Sequence, residues 1–233
     1  FGFDTAVISG ADKELQSLWN TSNLFHGMFI MSSALWGTVL GSLFGNWPCD
    51  KYGRRNVLIG VGILYLASSL GSAFAQEPFI FSFWRIIGGL AIGISSIAVP
   101  AYISEIAPNK IRGRLVAIYQ FQIVFGILIA FSSNYFLSSI MNLNWRWMLG
   151  IECLPAILYL IMVRNIPESP RWLLLNRNDE HTCRQILNLI DRNTVNETVK
   201  AIKDTHQRLT NTRLFQKKDS KPIILAFFIA FFN

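Results

Sequence analysis

Charge is what this sequence has least of. Asp, Glu, Lys and Arg make up 15% of its 233 residues, against about 25% in an ordinary globular chain. A soluble domain needs a largely polar surface, so the deficit argues against one. Cysteine is also scarce: Cys49, Cys153 and Cys183 form an odd, scattered set with no CxxC or Cys/His spacing. Such a set is neither a disulfide framework nor a zinc site and reads as free thiols. The three histidines, His26, His181 and His206, form no metal-like cluster. GxxxxGK[ST], HExxH and GxGxxG do not occur, and neither does a nucleophile–base constellation. A coupled ATPase, a zinc hydrolase and a dinucleotide-binding domain are therefore excluded. The chain reads as no enzyme, with no metal and no cofactor.

What is present is apolar and basic. Hydrophobic residues reach 52%, with 18 Phe and 7 Trp, while the net charge is +7. Mean hydropathy is +0.36. That combination excludes disorder, which needs low hydrophobicity. It leaves nucleic-acid binding or a membrane protein with basic loops. Runs of about 20 apolar residues predict spanning helices near 24–46, 57–75, 79–101, 115–137 and 147–164. A broken first helix covers about 1–10, and a seventh begins near 222. The chain opens inside one apolar stretch and stops inside another, which reads as a fragment. The expected segments are a transmembrane bundle over 1–164, a cytosolic helical linker over 165–221 and a helix start over 222–233.

Placement of the basic residues decides between the two classes. The loops after the second and fourth helices and the long loop from Arg164 to Lys221 together hold 18 of the 21 Lys and Arg. The opposite loops hold only Lys13. That asymmetry is the positive-inside signal and puts the long loop in the cytosol. Nucleic acid is not a partner, because the charges alternate by loop instead of lining one groove. The long loop shows helical spacing over 168–176, 179–191 and 195–209, read as short amphipathic helices, with a flexible polar linker as the alternative.

Three ionisable residues fall within spans: Asp4, Arg85 and Glu152. Counted along their helices at 1.5 Å per residue, all three lie roughly 8–10 Å below the outer boundary. One positive charge against two negative leaves −1, and one added proton makes the group neutral. That suits a proton-coupled carrier; a permanent ion pair that only orients helices is the alternative. Arg146, between Trp145 and Trp147, reads as an interface anchor. Gln120 and Gln122 lie in the fifth helix about 200° apart, so only one can face a cavity; amides there suit hydroxyl-rich solutes. Gly37, Gly41 and Gly45, and Gly89 and Gly93, form GxxxG stripes for close packing. Pro100, Pro108 and Pro155 are expected to kink or end helices.

The strings FGFDTAVISGA (1–11), DKYGRR (50–55), RIIGGLAIG (85–93), PAYISEIAP with IRGRL (100–115) and PESPRWL (167–173) occur in that order. Together they resemble the sugar porter family of the major facilitator superfamily. The resemblance implies an all-α polytopic membrane protein, the N-terminal six-helix half of a twelve-helix carrier plus its intracellular helical segment. It implies proton coupling at Asp4, partnered by Arg85, with Glu152 an acid of symporter-like members. It assigns sugar binding to Phe1, Gln120, Ile123 and Asn233, and so favours Gln120 over Gln122. Asp50, Arg54, Arg55, Glu105, Arg112, Arg114, Glu168 and Arg171 match the family's cytosolic charged network. The family's glycine four residues before Asp50 is Asn46 here, preceded by Gly45, and Pro48 is a second departure. The implied function is import of a monosaccharide, pentose or hexose, with protons by alternating access, in the bacterial inner membrane. Its partners would be sugar, protons, lipid bilayer and the C-terminal half. The alternatives are a facilitative uniporter and a non-transporting sugar sensor.

Overall fold

The computed structural model describes residues 2–108, 110–140, 144–192 and 194–210. Phe1, Asn233 and the expected seventh helix lie outside them. The described residues form helices and no strand. The chain divides into two compact units, Phe1–Ile186 and Leu187–Asn233.

In the first unit α1 (Gly2–Val7) continues into a 3-10 turn, and α2 (Asp12–Trp19) follows. Next come α3 (Asn23–Phe44), the short α4 (Asn46–Tyr52), α5 (Arg54–Phe74), α6 (Pro78–Ile106), α7 (Arg112–Ser139) and α8 (Trp145–Arg164). All of these except α4 are long and apolar enough to cross a membrane. The unit closes with α9 (Pro170–Asn176) and the start of α10 (Glu180–Ile190). The second unit holds the end of α10 and α11 (Val195–Thr210), which buries Val195 and Val199.

Local chemistry explains most boundaries. Pro78 stands at the start of α6, where its missing N–H costs nothing. Ser169 caps α9 by accepting the Trp172 N–H, again with Pro170 next in line. Pro100 does not end α6, which runs to Ile106, five residues past its expected end. Spanning helices tolerate an internal proline when neighbouring helices hold the rest of the turn. The helix stops where Ala107 turns extended before Pro108, as the residue preceding a proline prefers. Pro155 has the expected effect on α8. The helix breaks after Gly150 and restarts at Cys153, and the Leu154 N–H makes a tightened bond to the Ile151 carbonyl.

The glycine stripes face each other. A side chain at Gly37 would strike the Ile86 carbonyl, and one at Gly41 the Leu90 carbonyl. From the other side, Gly89 meets the Ala34 carbonyl and Gly93 the Thr38 carbonyl. Thus α3 and α6 pack backbone to backbone, the contact small residues allow in lipid. A side chain at Gly45 would crowd the Ile94 Cα, so this glycine allows close approach to α6 beside Asn46. Elsewhere α5 packs on α6 and α8, and α1 on α7. Trp19, Phe81 and Trp145 form an aromatic knot with Leu15, Ile30 and Leu149 at one end. Leu35, Trp36, Phe121, Phe125 and Leu158 are exposed, an apolar exterior that lipid or another helical bundle can cover.

Candidate functional site

Three helices bring the intramembrane charges together. Asp4 sits on α1, Arg85 on α6, and Glu152 at the break in α8. They are 3%, 1% and 6% exposed, so none reaches bulk solvent. Arg85 Nη1 donates to Asp4 Oδ1 at 2.7 Å, and its Nη2 donates to the Asp4 backbone carbonyl at 3.1 Å. Glu152 Oε2 stands 3.9 Å from Arg85 Nη1, an ion pair without a hydrogen bond. Gly88, one turn beyond Arg85, leaves room for this arrangement: its missing Cβ would collide with the Ser68 hydroxyl and lie 3.4 Å from Asp4 Oδ2. One guanidinium thus faces two buried carboxylates.

A cavity of about 290 Å³ adjoins the cluster, lined by Asp4, Glu152, Tyr65, Ser95, Tyr119, Gln122, Ile123 and Tyr159, among others. Tyr65 and Ser95 are joined at 2.9 Å between hydroxyls. Neither Glu152 oxygen nor the Tyr159 hydroxyl has a hydrogen-bond partner among the described residues. Of the two α7 glutamines, Gln122 lines this cavity and Gln120 does not. The amide beside the charge cluster is therefore not the one the resemblance favours. The reason is helical phase. Ile123 and Gly126 lie on the seam toward α1, and Gln120 and Gln122, both exposed, project about 200° apart around α7. Ile123 also lines this cavity, while Phe1 and Asn233 fall outside the described residues. Arg146 is separate from the cluster: it stacks on the Trp145 ring and donates to the Ala75 carbonyl.

A second charged cluster occupies the other end of the first unit. Arg54 binds Glu105 through two nitrogens at 3.0 Å each and reaches Asp50 at 3.3 Å. Glu105 also accepts the Ser169 hydroxyl at 2.6 Å. Glu168 Oε1 accepts the backbone N–H groups of Arg55 and Ser169, and the Arg55 guanidinium donates to the Arg164 carbonyl. Trp172 Nε1 donates to the Asp50 carbonyl and ties α9 to α4. Gly53, with φ of 90°, turns the chain between α4 and α5, and a side chain there would strike the Glu168 carboxylate. Burial beside this cluster pushes the Cys49 thiol up to about 11, keeping it protonated and inert.

Not every residue expected in this network joins it. Arg112 reaches only the Ala107 carbonyl, at 3.4 Å. Arg114 is exposed and Arg171 half-buried, and neither bonds to the cluster among the described residues. Sequence reasoning missed Tyr65, Ser95, Tyr159, Ser169 and Trp172. The tyrosines sit inside apolar runs, where the signal available was a lone hydroxyl that must find a partner when buried.

These features define an all-helical chain, among the described residues, with five helices long and apolar enough to cross a membrane and a buried charge cluster between them. A family model described as sugar (and other) transporter matches residues 1–233, and the chain belongs to that family. The family is one of transporters, not enzymes. The D-xylose-proton symporter of Escherichia coli (strain K12) is 36% identical over 249 residues, covering 92% of this chain and 50% of that protein. The arabinose-proton symporter of Bacillus subtilis (strain 168) is 33% identical over 247 residues, covering 100% of this chain and 52% of that one. Among solved structures, a proton:xylose symporter of the major facilitator superfamily bound to 6-bromo-6-deoxy-D-glucose superposes with a TM-score of 0.83 at 35% identity. That match covers 91% of this chain and 52% of the other. The chain spans about half the length of the relatives it matches.

Proposed function

We propose that this chain is the N-terminal half of a proton-coupled monosaccharide carrier that imports a pentose or hexose by alternating access. The observation that carries the reading is the buried Asp4–Arg85–Glu152 cluster, with one positive charge against two negative. Asp4 takes up a proton from outside, its bond to Arg85 Nη1 weakens, and the two halves rock inward about sugar held between them. Gln120, exposed on its flank of α7, is the amide offered to sugar at the face where the second half would stand. Phe1, Ile123 and Asn233 supply the rest of that pocket. The Arg54–Glu105–Asp50 and Arg55–Glu168 cluster, with Arg112, Arg114 and Arg171 directed to the missing half, latches the cytosolic side when the carrier faces outward. Ion pairs in such a network form and break for a few kcal/mol, the scale a conformational switch needs.

The charge asymmetry of the loops supports the assignment of residues 1–164 to the membrane and 165–221 to the cytosol, with 222–233 entering the membrane again. A bacterial inner membrane follows from the resemblance and from bacterial relatives such as the two symporters named above. The test is transport by the full-length carrier in proteoliposomes. With an inward pH gradient, wild type accumulates sugar uphill; Asp4→Asn loses accumulation and keeps sugar exchange. Uphill uptake that survives in Asp4→Asn overturns the role of Asp4. Uptake by wild type that ignores the gradient identifies a uniporter, and binding without any uptake identifies a sensor.

A further inference from the structure

Two backbone carbonyls of α1, one turn apart, are held from two different helices. The Asp4 carbonyl accepts Arg85 Nη2 of α6 at 3.1 Å, and the Val7 carbonyl accepts Asn134 Nδ2 of α7 at 2.9 Å. A carbonyl can only accept, so the amide nitrogen is the atom that faces it. Asn134 is buried, and its amide oxygen has no hydrogen-bond partner among the described residues. An unpaired buried oxygen costs stability. A leucine has the same branched shape and would bury no polar atom, so packing alone does not account for this amide. What it contributes is the bond to Val7.

The surroundings of this bond suit a joint. A side chain at Gly2 would strike the Ile123 carbonyl, and one at Gly126 would crowd the Phe3 amide, so α1 and α7 approach backbone to backbone. At Gly10 an added Cβ would crowd the Asn134 amide, so the missing side chain is what admits it. Both helices leave α geometry beside the contact. α1 tightens into the 3-10 turn Ile8–Gly10, and α7 passes into a π turn at Phe136–Ile140. Interruptions of both kinds recur at functional hinges.

We propose that Asn134 is a positioning residue for proton coupling: its bond to Val7 holds α1 at the tilt that keeps Asp4 on Arg85, and this bond opens when the helix tilts. The proposal rests on the proton-coupled reading above. Val7 lies three residues beyond Asp4, about 4.5 Å along the axis. A tilt of about 20° at the Asp4 peptide would carry Val7 roughly 1.5 Å, enough to open a 2.9 Å bond. While Asp4 is ionised, its carboxylate and the Val7 carbonyl both hold the helix. Once Asp4 is protonated, the Val7 bond is what remains against tilting, and it yields. Without Asn134 the ionised helix tilts as well, and sugar crosses without its proton. The groups around Asp4 are Arg85 from α6, Glu152 and Tyr159 from α8, Tyr65 from α5 and Tyr119 from α7. A change at Asn134 leaves all of them in the chain.

The experiment uses the full-length carrier and two variants. Asn134→Leu removes the donor, and Gly10→Ala keeps the amide but pushes it off Val7. Amide hydrogen exchange needs no transport and reports local opening. In both variants the amides of residues 8–15 are expected to exchange about fivefold faster than in wild type, while those of α5 stay within about twofold. In proteoliposomes with an inward pH gradient, both variants are expected to keep sugar exchange at or above the wild-type rate while uphill accumulation falls at least threefold. A purely structural residue would lower both together. The proposal is overturned if exchange over residues 8–15 is unchanged, if α5 loosens equally, if accumulation stays at the wild-type level, or if sugar exchange is lost with it. A wild-type carrier that never accumulates sugar overturns the coupling reading itself, and the coupling role of Asn134 with it, before any variant is made.

Discussion

At the scale of residues, the site is an arginine shared unequally by two acids. Asp4 takes a short hydrogen bond and Glu152 only a 3.9 Å ion pair. Removing the arginine leaves two buried carboxylates with nothing to offset them. Breaking a buried pair from one side costs about 3–5 kcal/mol. Arg85→Ala is therefore expected to lower the melting temperature in detergent by several degrees at neutral pH. Equal melting temperatures for Arg85→Ala and wild type would show that the cluster contributes nothing to stability. The sequence announced these three residues clearly, because charges stand out in apolar runs. It was silent about Tyr159 and Ser95, which are polar by one hydroxyl each. The resemblance to sugar porters favoured Gln120 as a sugar ligand, but the placement of Gln122 at the cavity needed the rotational phase of α7, which spacing alone leaves open.

At the scale of elements, the seam between α3 and α6 is a backbone contact that Gly37, Gly41, Gly89 and Gly93 make possible. The stripes Gly37–Gly41 and Gly89–Gly93 were visible as a pattern, and their pairing with each other was not, since GxxxG names no partner. Overpacking such a contact costs about 1–3 kcal/mol. Gly41→Leu is expected to lower the melting temperature, whereas Gly60→Ala, with open space at its Cβ position, should leave it unchanged or raise it by reducing backbone freedom. A Gly41→Leu protein that melts like Gly60→Ala would mean the two backbones are not in contact. Prolines show the opposite limit of legibility. Pro108 and Pro155 acted as expected, while Pro100 did not end α6, because tertiary packing overrides a local breaker where the surrounding helices hold the turn.

At the scale of the whole molecule, hydropathy located five helices long and apolar enough to cross a membrane, and loop charge is the ground for their expected sidedness. Both signals are long-range sums, which is why they survive errors at single boundaries. The topology is open to a direct check. An impermeant maleimide applied to intact cells should label Asn20→Cys and not Asp204→Cys; permeabilised cells should label both. Labelling of Asp204→Cys in intact cells would invert the assigned orientation.

Arg85 holds α1 by two handles of different kinds. One is the Asp4 carboxylate, whose strength a proton can switch; the other is the Asp4 backbone carbonyl, which no proton at physiological pH can alter. Neutralising the acid therefore slackens the grip on α1 without letting go of it. Under the mechanism proposed above, the helix keeps a pivot at that peptide and can tilt about it, so each transport cycle would begin from a tethered joint and return to the same register.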